Sequence, residues 1–126
     1  MAIRKFTVTV TTGTATGEGF SPFLSGYIES IQYIKPGADP FADGVDFTIT
    51  AETTGETIWS ELNVNAAVIK HPRAATHSTA GVAATFDGTR PVLDRVALGR
   101  DRVKIAVAQG GNGTSGTFVI AVDDAR

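Results

Sequence analysis

Hydrophobic and polar residues alternate with a period of two in this chain, and no stretch holds a secure period of 3.6. Phe6, Val8 and Val10 alternate with Lys5, Thr7, Thr9 and Thr11. Val45, Phe47, Ile49 and Ala51 alternate with Asp46, Thr48, Thr50 and Glu52, and Val103, Ile105 and Val107 with Arg102 and Lys104. Successive side chains of a strand point to opposite faces, so each stretch predicts a strand with one buried and one polar face.

Other stretches are apolar on both sides. Over residues 27–34, strict alternation puts Tyr27, Ile31 and Tyr33 on one face and Ile28 and Ile34 on the other. Over residues 57–64 it puts Ile58, Leu62 and Val64 opposite Trp59 and Glu61. Phe118, Ile120 and Val122 alternate, but Val119 and Ala121 between them are also apolar, as in a strand that is central or covered by a neighbour. Residues 92–98 are a short further strand, and residues 65–69 form one helical turn or extend the strand before them.

Asp43-Gly44, Thr53-Thr54-Gly55-Glu56, Asp87-Gly88 and Gly110-Gly111-Asn112-Gly113 supply the turns between these runs. The result is an all-β chain: a single-domain antiparallel β-sandwich or jelly-roll-like barrel of about 6–8 strands spanning residues 1–126. Three segments fall outside the pattern. Residues 1–5 read as a flexible N-terminal arm, residues 11–22 as a polar, Gly-rich connection, and residues 71–89 as a long Ala/Thr loop that orders against a partner.

Composition narrows the function. With 126 residues, 42% hydrophobic and 19% charged, the chain can bury a core, and a net charge of −2 argues against a general nucleic-acid binder. The absence of cysteine excludes disulfides and thiolate metal sites. The first six residues lack the apolar core of a signal peptide, and no apolar run approaches the ~20 residues of a membrane-spanning helix, so a soluble protein made in a cytoplasm is expected, with no membrane partner. Charge is uneven along the chain. Residues 1–69 hold three basic and eight acidic side chains, a balance of −5, and residues 70–104 hold seven basic and three acidic, a balance of +4. Such asymmetry suits complementary contact with a partner or between copies.

No reactive constellation stands out. Asp39, Asp43 and Asp46 lack the spacing and closing Glu of an EF-hand loop. His71 and His77 are the only histidines, and Ser78 beside His77 points away from it on an extended chain. The glycine run 110–116 precedes a strand and lacks the Lys of a phosphate-binding loop. A non-enzymatic protein without catalytic, metal or cofactor residues is therefore expected. Interface candidates are the loop phenylalanines Phe20, Phe23, Phe41 and Phe86, with Arg73, His77, Arg90, Arg100 and Arg102. Trp59, Tyr27 and Tyr33 are the residues for an alternative reading as a carbohydrate- or ligand-binding module, since aromatic faces stack on sugars.

Gly26-Tyr27-Ile28-Glu29-Ser30-Ile31-Gln32-Tyr33-Ile34, the Asp46–Glu56 hairpin and the stretch from Pro91 to Ile105 resemble a family of small head-morphogenesis proteins of tailed bacteriophages and prophages. The resemblance covers most of the chain from Gly26 to Val122. It implies a virion structural protein that decorates or cements the capsid, bound to the major capsid protein and to itself as a dimer or trimer. A head–tail connector or tail component is the alternative it leaves open.

Overall fold

The structure, a computed structural model, describes residues 2–124 and is all-β, with no helix among them. Ten strands follow in order: β1 (Ile3–Thr11), β2 (Gly17–Phe20), β3 (Leu24–Ile34), β4 (Val45–Ala51), β5 (Thr57–Val64), β6 (Val68–Lys70), β7 (Arg73–Ala75), β8 (Leu93–Asp101), β9 (Val103–Ala108) and β10 (Ser115–Asp123). They form two antiparallel sheets packed as a sandwich. The larger runs β1-β10-β3-β8-β7, with β6 beside the far half of β3, and the smaller runs β2-β9-β4-β5. Ten strands exceed the expected six to eight because short segments pair as well.

The inner faces follow the alternation. Val8 and Val10 of β1, all four apolar positions of β4, and Val103, Ile105 and Val107 of β9 are buried. β10 lies between β1 and β3, and on its outer side Val119 is half-buried and Ala121 buried. The centre of the core is aromatic. Phe47 meets Tyr33, Phe118 and Trp59 edge-on at centroid distances of 4.8, 5.0 and 5.5 Å.

Two strands depart from strict alternation through β-bulges, where one extra residue turns the rest of the strand over. In β3, Ser30 pairs with Ala121 but Ile28 pairs with Val122, so one residue is inserted. Ile28, Ile31 and Tyr33 therefore share the buried face, while Tyr27 and Ile34 are exposed. In β5, bulges near Trp59 and between Glu61 and Val64 bury Ile58, Trp59 and Val64 and turn Leu62 to solvent.

Three segments are more ordered than expected. Of the arm expected over residues 1–5, residues 3–5 belong to β1, and Met1 lies outside the described residues. The Gly-rich connection contains β2, which pairs with β9 and crosses the inner face of β1. Its glycine is there for contact: a Cβ on Gly19 would lie 2.7 and 2.9 Å from the Val10 and Val8 methyls. The loop 71–89 contains β7 and folds on itself. Residues 65–67 form no helix; they break the chain between β5 and β6.

Candidate interaction surface

The expected interface residues separate into three groups. Phe41 is 2% exposed and belongs to the core. Its loop folds inward, held by Ala42 N–H donating to the Gly110 carbonyl (2.9 Å), and its ring stacks on Tyr33 at 6.0 Å. Phe20, Phe23, Arg100 and Arg102 gather where β2, β3, β8 and β9 meet. Arg73, His77, Phe86 and Arg90 lie in the segment between β6 and β8. These two surfaces flank opposite ends of β8, roughly 25 Å apart at about 3.3 Å per residue.

The segment 71–92 is a projecting ribbon. β7 pairs with the start of β8, Arg73 opposite Arg95 and Ala75 opposite Leu93. Beyond them Thr76 N–H donates to the Val92 carbonyl at 2.9 Å. Residue 84 links both sides, its N–H reaching the Thr76 carbonyl (2.9 Å) and its carbonyl accepting from Val92 N–H (3.0 Å). Two tight reversals close the ribbon. Ser78 Oγ accepts from the Ala80 and Val82 N–H groups at one, and Asp87 Oδ1 accepts from Thr89 and Arg90 at the other. The Arg90 and Thr89 N–H groups hold the Asp87 carboxyl below the usual range. The backbone is thus hydrogen-bonded internally, and at its base Ala74 packs on the core and Arg73 meets Glu29, but beyond Thr76 the larger side chains are exposed. Phe86 is 66% exposed and Val82 63%, and Leu93 and Val92 at the ribbon's return are exposed as well.

The second surface is an aromatic and cationic stack. Arg102 lies 4.2 Å above the Phe20 ring and 5.4 Å from that of Phe23. Its guanidinium also grips Glu52 with two bonds, Nε to Oε1 at 2.6 Å and Nη2 to Oε2 at 2.9 Å. The Arg102 bonds hold the Glu52 carboxyl below its usual range, and Glu52 raises Arg102 in turn. Arg102 is therefore a framework residue, its charge already paired with Glu52 and its plane laid on Phe20. Arg100, next to last in β8, has a left-handed conformation, φ 50°, with its N–H held by Ser25 Oγ at 3.0 Å.

The charge asymmetry has an internal explanation. The basic second half folds against the acidic first half, giving Lys70–Glu61, Arg73–Glu29, Arg95–Glu29, Arg102–Glu52 and Lys104–Glu18 pairs. Arg95 adds a bond to the buried Asp123 at 3.0 Å. Its hydrogen bonds to Glu29 and Asp123 raise its pKa. The surplus of residues 70–104 is largely consumed within the chain.

Comparison with known proteins adds one likeness. No protein-family model matches the chain, and no curated protein matches it. A solved structure, the crystal structure of FLHE, is similar over 97% of this chain and 98% of that one, at 9% identity and a TM-score of 0.45. A likeness of that degree bears on no function.

The remaining expected residues stand as follows. Trp59 is not an exposed platform: it is 7% exposed, with its Nε1–H donating to Glu61 Oε1 at 3.0 Å. Tyr33 is buried, and the Tyr27 ring is covered by the Arg95 guanidinium at 4.3 Å. The three aromatics thus offer no shared face for a sugar. Asp43 pairs with Lys35 and Asp46 accepts from Asn63 N–H; among the described residues no group of three acids, histidines or cysteines converges. Ser78 Oγ is occupied by the ribbon turn rather than by His77. The glycine run is laced shut by Thr12, whose Oγ1 donates to the Gly111 carbonyl (2.7 Å) and accepts from Thr114 N–H (2.9 Å). Sequence reasoning missed Val82 and Leu93, which are exposed in the same segment as Phe86. The signal available was apolar residues inside a stretch otherwise rich in Ala, Thr and Gly.

Proposed function

We propose that this chain decorates the capsid of a tailed bacteriophage, gripping major capsid subunits through the ribbon 71–92 while the sandwich serves as a rigid base. It acts by binding and not by catalysis. The observation that carries this reading is the ribbon, which is ordered by its own backbone yet buries almost none of its side chains. Ordering about twenty residues costs conformational entropy that core burial does not offset here. A surface that covers Phe86, Val82 and Leu93 supplies the missing term, roughly 1.5–3 kcal/mol for each fully buried side chain before association costs. Many weak links along one shell then act together. The sequence resemblance supports the same reading, since the residues that carry it lie in β3, the β4–β5 hairpin and β8–β9, the base that presents the ribbon.

Cosedimentation with purified, expanded, empty capsids tests it. The wild-type chain is expected to saturate the shells at many copies per particle. A variant with Val82→Ser and Phe86→Ser is expected to lose that binding with its urea midpoint unchanged, since both residues are exposed. Failure of the wild-type chain to bind, or equal binding by the variant, rejects the proposal. A low copy number confined to one vertex transfers the chain to the head–tail connector class.

A further inference from the structure

One end of the larger sheet, where the starts of β1 and β3 meet the ends of β8 and β10, has the chemistry of a binding site. Along the inner face of β1 the order is Arg4, Phe6, Val8, Val10. β2 covers Val8 and Val10 through Gly19 and ends at Phe20, leaving Arg4 and Phe6 beyond its reach. The chain then turns through Phe23 into β3. The result is a pocket of about 320 Å³ lined by Phe6, Phe23, Leu24, Val122, Arg4 and Arg100, with Ser25 and Asp124 at its edge. That volume is at the lower end of the range for small-ligand sites.

Its walls divide by chemistry. Phe6, Phe23, Leu24 and Val122 make an apolar lining, and the Phe23 ring is backed by Arg102. Arg4 Nε is bound to Asp124 Oδ2 at 2.8 Å. Arg100 has no ion pair among the described residues, unlike Arg4, Arg73, Arg90, Arg95 and Arg102. Among the described lining residues, two guanidiniums stand with one carboxylate. The left-handed backbone at Arg100, fixed by Ser25, brings that side chain to the pocket. A non-glycine residue in that conformation costs energy the surrounding structure must supply.

We infer that this pocket binds a carboxylate borne on an aryl or branched apolar group, the charge meeting Arg100 and the apolar body entering between Phe6 and Phe23. The carboxylate can belong to a free organic acid or to the C-terminus of a protein chain ending in such a residue. This inference does not depend on capsid decoration.

The test is a titration of the ¹⁵N-labelled chain with 3-phenylpropionate, followed by amide shifts. Saturable shifts are expected at Phe6, Leu24, Ser25, Arg100 and Val122. The neutral 3-phenylpropanamide is expected to bind at least about tenfold more weakly, and Arg100→Gln to lose about tenfold for the acid, as removal of a charge-assisted bond does. Its dispersed amide spectrum confirms that the variant folds. A second arm compares N-acetyl-Ala-Phe with its C-terminal amide. Tighter binding of the peptide acid than of 3-phenylpropionate assigns a chain end, and the reverse assigns a free acid. Absence of saturable shifts with both acids, or equal binding of acids and amides, overturns the inference.

Discussion

Phe47→Ala tests the core directly. The side chain is fully buried at the middle of β4 and makes edge contacts with Tyr33, Phe118 and Trp59, with Phe41 at 6.1 Å. Deleting a buried Phe costs about 3–5 kcal/mol, and the cost rises when the surroundings cannot close the void. Here the four rings are held by β3, β5, β10 and an anchored loop, so the expected loss is about 4–5 kcal/mol. Against a total of roughly 5–15 kcal/mol, that leaves the variant near its folding limit. With a urea m-value of about 1.5–2 kcal/mol/M, the midpoint falls by roughly 2–3 M. Trp59, the single tryptophan, reports the transition by fluorescence, with far-UV circular dichroism as an independent check. Phe47→Leu retains most of the volume and is expected to lose only about 1–2 kcal/mol, which keeps the comparison measurable if the alanine variant does not fold. Phe86→Ala, at an exposed position, should change stability by less than about 0.5 kcal/mol. An unshifted Phe47→Ala midpoint, or equal losses at Phe47 and Phe86, refutes this account of the core.

Two further outcomes are expected. Gly26→Ala should yield little soluble protein, because Gly26 has φ 131° and a Cβ there would lie 2.1 Å from the Asp123 carbonyl oxygen; recovery of a folded variant with an unchanged melting temperature would contradict this packing of β3 against the end of β10. Stability should also fall on the acid side. Burial alone would push the Asp101 carboxyl up, but the backbone N–H groups of Thr53 and Arg102 outweigh it and hold the group below its usual range, as the Arg102 bonds hold Glu52. A carboxyl lowered on folding adds stability above its unfolded pKa of about 4 and loses it as pH drops through the folded value. Melting temperature is therefore expected to be flat from pH 7 to about 5 and to decline below, with a shallower decline in Asp101→Asn, read by a pH series of thermal melts.

Strands with one wet face were legible in the sequence, and the departures have separate physical causes. β1, β4 and β9 alternate without interruption, so their buried positions could be named residue by residue. β3 and β5 contain bulges, and one inserted residue moves every later side chain to the other face; Ile28 and Trp59 were assigned to the wrong sides for that reason. β2 resembles a loop because its glycine answers to the Val8 and Val10 methyls and not to a turn. The ribbon shows no apolar alternation because only the short β7, at Ala74, lies against the core and the rest is exposed. Phe41 looked like an interface residue because a loop can fold its ring inward, which no periodicity reveals. The charge imbalance misled in another way: strands distant in sequence neutralise one another, as at Glu52 and Arg102. The pocket was half visible, since Phe23 and Arg100 stood out separately, but only the early end of β2 brings them to Arg4 and Phe6.

The place of β10 has a consequence for biogenesis. It comes last of the ten strands in chain order, yet it separates β1, the first of them, from β3. Until residues 115–123 emerge, both of those strands present unsatisfied edges and the Phe118 slot beside Tyr33 stands vacant. Closure of the larger sheet thus waits on β10, the first and last of the ten strands meeting in one long-range step.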